Sequence, residues 1–125
     1  VNRREFLASA LFATSAPFVC AADKPRRILL RSSWQTVNIG DIAHTPGMLA
    51  LLEKHRPDDT VTLWPSGLNA EVEKLLTTRF PKLVIASTKA EQDAALDACD
   101  FFLHGSGPGL IGRAEADRAR KAGKP

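Results

Sequence analysis

Tyrosine is absent from these 125 residues, and the aromatic set is only six Phe and two Trp. A nucleic-acid surface needs clustered cations, ideally interleaved with stacking rings. Here the formal charge of +3 partly reflects Arg3 and Arg4 at the front and Arg113, Arg118, Arg120, Lys121 and Lys124 at the back, not one basic stripe. Nucleic acid is therefore not an expected partner. Long apolar runs are missing as well: the stretch from Phe6 to Val19 is about 14 residues, short of the roughly 18 to 20 that cross a bilayer, so no permanent membrane span is expected. No His, Cys, Asp and Glu grouping has the spacing of a metal site, and neither metal nor cofactor is expected. What is present, 44% hydrophobic and 25% charged residues, is an ordinary globular composition for at most one domain.

The front of the chain reads differently from the rest. Arg3 and Arg4 precede the apolar stretch, and the small residues Ala21 and Ala22 follow it. That is the order of n-region, h-region and cleavage site in an export signal. "RREFL" resembles a twin-arginine signal, with Asn2 where Ser or Thr is usual and Ala8 where Lys is usual. An amphipathic N-terminal helix fits less well, since the stretch offers no polar face. A lipoprotein reading of Cys20 has Val19 where a small residue belongs. The expectation is a signal at 1–22, handled by the twin-arginine export machinery, and a mature domain at 23–125 in the periplasm or outside the cell. Loss of Cys20 leaves Cys99 alone, so no intrachain disulfide is expected, and Cys99 in the apolar run "CDFFLH" reads as a small core residue.

From Arg27 onward, short apolar runs alternate with helical patterns. "RILLRSS" is strand-length. "PGMLALLEKHRP" then sets Met48, Leu49, Leu51 and Leu52 at helical spacing. Thr60 to Trp64 is a second strand, closed by Pro65, Ser66 and Gly67. Asn69 caps a helix whose inward face is Val72, Leu75, Leu76 and Phe80. "KLVIAS" is a third strand, Thr88 caps "KAEQDAALDA", "CDFFLH" is a fourth strand, and a last helix follows. Continuous apolar strands separated by helices predict an α/β fold: a Rossmann-like parallel sheet with helices on both faces. Four strands fall short of a typical six-stranded sheet, and the expectation is a truncated product or one domain of a longer protein.

In such sheets ligands gather beyond the carboxyl ends of the strands. Two loops there carry suitable chemistry. "WQTVNIGDIAHTPG" follows the first strand: Gly40 permits close backbone approach, while Asn38 and Asp41 serve either as helix caps or as hydroxyl ligands. His44 lies within a turn of Asp41, as a ligand contact or as a solvated helix residue. "HGSGPGLIG" follows the fourth strand, and its alternate glycines suit phosphate, carboxylate or sugar oxygens, or form a turn stiffened by Pro108. Neither loop is a P-loop or a dinucleotide fingerprint, and Ser106 lacks the context of a nucleophile elbow. The loops offer His44 and His104 but no basic pair.

"NIGDIA" leading into "HTPGMLALLEKH", then "TVTLWP" and later "CDFFLHGSGPGLIG", resembles the N-terminal half of the polysaccharide pyruvyl transferase family over about residues 27 to 112. The glycine turn reads Gly-Ser-Gly where that family more usually has Gly-Gly-Gly. The resemblance implies one half of a two-domain GT-B-type architecture. It also implies transfer of a pyruvyl group from phosphoenolpyruvate to a saccharide as a ketal, with Asn38, Gly40 and Asp41 in the cleft and Gly105, Ser106 and Gly107 lining the neighbouring loop. Phosphoenolpyruvate would need Arg or Lys clamps and a general acid, so the chain alone is expected to be inert. The alternatives are a non-catalytic saccharide- or anion-binding module and another GT-B-type glycosyltransferase.

Overall fold

A computed structural model describes residues 24–33, 39–105 and 112–125, the side chains of Ser33, Ile39 and Asp41 excepted. The export signal expected at 1–22 lies outside them. Eight elements follow in order: β1 (Arg27–Ser33), α1 (Ile39–His55), β2 (Thr60–Ser66), α2 (Ala70–Arg79), β3 (Val84–Ile85), α3 (Lys89–Ala98), β4 (Phe101–His104) and α4 (Arg113–Lys121). The described strands form one sheet in the order β3-β2-β1-β4, with every pairing parallel. This is a small Rossmann-like α/β fold, as the alternation of runs predicts.

Strand periodicity divides the core. Leu30 and Leu63 face one side and pack with Leu49 of α1, with Val72 and Leu76 of α2, and with Phe80. Leu29 and Trp64, one residue out of phase, face the other side and pack with Leu96, Cys99 and Ala119 from α3 and α4. Burying each such leucine contributes roughly 1.5 to 3 kcal/mol, so two-sided coverage of β1 anchors the domain. Cys99 is buried at the end of α3, as expected; burial pushes its thiol pKa up, which keeps it inert.

Two helix starts are where local chemistry puts them. Asn69 Oδ1 accepts from Val72 N at 2.8 Å, and Thr88 forms a reciprocal capping box with Glu91. Other boundaries move. Helix α1 begins at Ile39 and runs through Pro46 and Gly47, a stretch whose Pro-Gly pair reads locally as loop. Besides the packing of Leu49, a buried polar contact ties it to the sheet: Thr45 Oγ1 and Ser32 Oγ lie 2.7 Å apart, both side chains buried. Strand β2 continues through Pro65 to Ser66 because β1 runs beside it to Ser33. Leu63 O accepts from Ala86 N on the β3 side, so Pro65, two residues on, directs its missing N–H to that same side. Strand β3 stops at Ile85, and the proline therefore forfeits no ladder bond. The fourth strand starts at Phe101 because Cys99 ends α3 and Asp100 turns the chain, taking Arg27 N, Nε and Nη2 as donors.

Asp59 is the one buried carboxylate among the described residues, and it is fully engaged. Arg56 Nε and Nη2 and Arg26 N donate to it, at 2.9, 3.2 and 2.9 Å, just before β2 begins. The Arg56 guanidinium, aided by the Arg26 N–H, holds its carboxyl below the usual carboxylate range against the opposing pull of burial. A depressed folded value means stability that is present above the unfolded value of about 4 and is lost as pH falls through the folded one. Asp59→Asn is expected to lower stability at pH 7 by about 1 to 3 kcal/mol and to flatten the fall in stability below pH 4, read by urea unfolding across pH.

Candidate functional site

Strands β1 and β4 are neighbours and point the same way, with Leu30 opposite Leu103 and Arg31 opposite His104. Their exits therefore share one rim of the sheet. This rim is also the topological switch point: from β1 the chain moves through β2 to β3 on one side, then returns to place β4 on the other. In open parallel sheets the loops diverge there, and a crevice opens between them.

Around this rim the sequence candidates fall into three groups. Gly40 and Asp41 lie in the first turn of α1, so Asp41 is a first-turn residue and not the residue preceding the helix. His44 is an exposed residue one turn further along the same helix. Gly105 follows β4 directly, and its N–H donates to Arg31 O at 2.7 Å, extending the β1–β4 pairing by one step. Asn38, Ser106 and Gly107 lie outside the described residues.

Gly105 has a structural reason of its own. A Cβ on it would lie 3.0 Å from Ser32 Oγ, 3.2 Å from Ser32 Cβ and 3.3 Å from Leu30 Cδ1. It does not occupy the left-handed region, so it is room against β1, not backbone handedness, that demands glycine. Gly112, which precedes α4, differs: its φ of +91° lies in the left-handed region, and a Cβ there would meet Arg31 Cγ and His104 Cδ2, each at 3.3 Å.

The residue that sequence reasoning passed over is Arg31. It sits in "RILLRSS" at the carboxyl end of the central strand, and only 8% of it is exposed. Strand alternation puts it on the α3–α4 face with Leu29, where its stem packs against Gly112. Its guanidinium stands 5.6 Å from the Trp64 ring centroid. Nη1 reaches the Ser32 and Trp64 carbonyls only at 3.5 Å, beyond the usual 2.7 to 3.2 Å, roughly, of a good N–H···O bond. Buried Nε has no hydrogen-bond partner, and no described carboxylate forms an ion pair with this side chain. The loops have no basic pair, yet the strand beneath them supplies a cation. Its signal in the sequence was an Arg placed between Leu30 and Ser32 near the carboxyl end of the otherwise apolar or small-residue run "ILLRSS".

A cavity of about 140 Å³ opens at the other rim, between the ends of α1 and α2, lined by Leu49, Leu52, Val61, Phe80 and Leu83. The buried carboxylate in its wall is Asp59, already paired with Arg56. That cavity is mostly apolar, with Glu53, Arg56 and Lys82 also in its lining, and it lies at the rim opposite the strand exits. Among the described residues no group of three or more His, Cys, Asp or Glu is placed to hold a metal ion, and no helix is long and apolar enough to cross a membrane. Set against models of known protein families, curated proteins and solved structures, the chain matches none of them.

Proposed function

We propose that the chain is a ligand-binding α/β module that takes a saccharide or a small anion at the β1–β4 rim. The observation that carries this reading is the parallel, adjacent placement of β1 and β4. It brings the glycine-bearing exits of two strands to the switch point of the sheet. The first turn of α1 adds backbone N–H groups on one side and the start of α4 adds them on the other.

Amide chemical shifts of the full chain, followed during titration with a neutral hexose, a hexuronate, a hexose phosphate and phosphoenolpyruvate, test this reading. Shifts confined to residues 31–32, 39–44, 104–105 and 112–115 are expected for at least one of the four. No shifts, or shifts gathered around Asp59, Phe80 and Leu83, would overturn it.

A second reading keeps the chemistry of the pyruvyl transferase resemblance: this domain would contribute one wall of a saccharide cleft in an exported transferase. It is favoured by Ile39, Gly40 and Asp41 of "NIGD" forming the first turn of α1. The architecture is of the general kind found in transferases, and the rim holds no described acid–base pair. The isolated chain is expected to form no ketal from phosphoenolpyruvate and a saccharide, and ketal formation above background would contradict that.

A further inference from the structure

We infer that the rim site takes a phosphomonoester, and that Arg31 together with the start of α4 holds the phosphate group. This rests on the ligand-binding reading above and adds the class of ligand and the residues that grip it. Three independent observations converge on this place. A guanidinium is always charged at ordinary pH, so an Arg that is 8% exposed with an orphaned Nε keeps a desolvated positive charge with no counterion among the described residues. Folding alone would favour an apolar side chain there. Retention of the charge is explained when an anion completes it.

The second observation is the start of α4. Gly112 provides no side-chain cap, and Ala116 N is bonded to Gly112 O at 2.8 Å. The N–H groups of Arg113, Ala114 and Glu115 precede that first intrahelical bond and have no acceptor among the described residues. Gly112 is also the residue against which the Arg31 stem packs, with Cγ 3.3 Å from where a Cβ would be. Nε is two bonds from that Cγ, so the orphaned donor lies close to the helix start. The third observation is Arg113, an exposed cation at the first helical position. It opposes the positive end of the helix dipole and pairs with no described carboxylate. An anion at the helix start turns that opposition into attraction.

Charge selects phosphate over carboxylate. Two guanidinium groups and a helix start worth about half a charge, set against Glu115 in the same turn, leave an excess of roughly one and a half positive charges. A phosphomonoester at neutral pH carries about that much negative charge, with three acceptor oxygens, where a carboxylate carries one charge and two oxygens. The oxygens divide among the Arg31 fork, the α4 backbone and Arg113. Arg31 keeps 8% of its surface accessible, and its guanidinium lies over the Trp64 ring, 5.6 Å from the centroid.

The test uses the full chain and two variants, Arg31→Met and Arg113→Gln, titrated with inorganic phosphate, a hexose 6-phosphate, a hexuronate and the neutral hexose. Affinity is read by calorimetry, and thermal unfolding is recorded with and without ligand. The wild type is expected to bind the hexose phosphate more tightly than the hexuronate, and inorganic phosphate is expected to compete. Arg31→Met is expected to weaken phosphate binding roughly tenfold to a hundredfold. Without ligand it is expected to melt at or above the wild-type temperature, because a desolvated charge has been removed; a merely structural arginine would lower that temperature. Arg113→Gln, altered at an exposed position, keeps the test intact if Arg31→Met does not fold, and is expected to weaken phosphate several-fold. Hexose binding at the rim that is indifferent to phosphate and to both substitutions would overturn this assignment while leaving the ligand-binding reading in place. Absence of binding by all four compounds would remove both. Competition by inorganic phosphate with no gain from the sugar would show a site for free phosphate and would overturn the phosphomonoester.

Discussion

Gly105→Val is expected to cost about 3 kcal/mol or more and to leave little folded protein at 37 °C. Even the first carbon of a side chain would stand 3.0 Å from Ser32 Oγ and 3.3 Å from Leu30 Cδ1. Neither neighbour can retreat. Leu30 is fully buried, and Ser32 is tied to Thr45 of α1 by a 2.7 Å hydrogen bond. The two methyl groups of valine add volume that must force β4 from β1 or break that bond, which alone is worth about 1 kcal/mol. Gly105→Ala, with a single carbon to place, is expected to cost about 1 to 2 kcal/mol. Urea unfolding followed by Trp fluorescence gives both values. The measurement also separates two roles for the glycine: a residue kept only to cradle a ligand would tolerate alanine with unchanged stability and lose binding. An unchanged unfolding midpoint for Gly105→Ala would show that β1 and β4 do not approach as closely as described.

Leu30→Ala is expected to cost about 3 to 4 kcal/mol, a large part of the total for a domain of this size. Leu30 lies in the central strand with none of its surface exposed, amid Leu49, Leu63, Val72, Leu76 and Phe80. Its removal leaves a void on which two helices and two strands converge, and a parallel sheet flanked on both sides has little freedom to collapse into it. Leu75→Ala is the internal control. Leu75 sits on α2 at helical spacing with the same inward residues, yet it is 64% exposed, so its truncation is expected to change stability by less than about 0.5 kcal/mol. Equal losses at the two positions, measured by the same unfolding assay, would mean that the α2 face has been assigned the wrong way round.

Leu75 also marks how far a pattern can be read. Helical spacing groups it with Val72, Leu76 and Phe80, but an apolar stripe wider than the groove it meets leaves its margin in water. The strand ends that frame the candidate rim were legible for a local reason, announced by neighbouring residues, and so were caps such as Asn69 and Thr88, whose partners are three positions away. Arg31 was not legible in this way. Alternation assigns it to a face, but whether that face carries water or a helix depends on α4, about eighty residues later. Gly105 and Gly112 look alike in the sequence, and only their surroundings show that one needs room and the other a left-handed backbone.

Taken alone, the order of residues determined the class of the fold, the alternation of its elements, the caps of two helices and the burial of Cys99. Each follows from hydrophobic period or from hydrogen bonds within a single turn. Tertiary structure decided which strands became neighbours, how far α1 and β2 extended through their prolines, and which buried cation has no counterion among the described residues. Those outcomes depend on contacts between segments far apart in the chain, where a 2.7 Å bond from Ser32 to Thr45 or a glycine's missing carbon outweighs local preference.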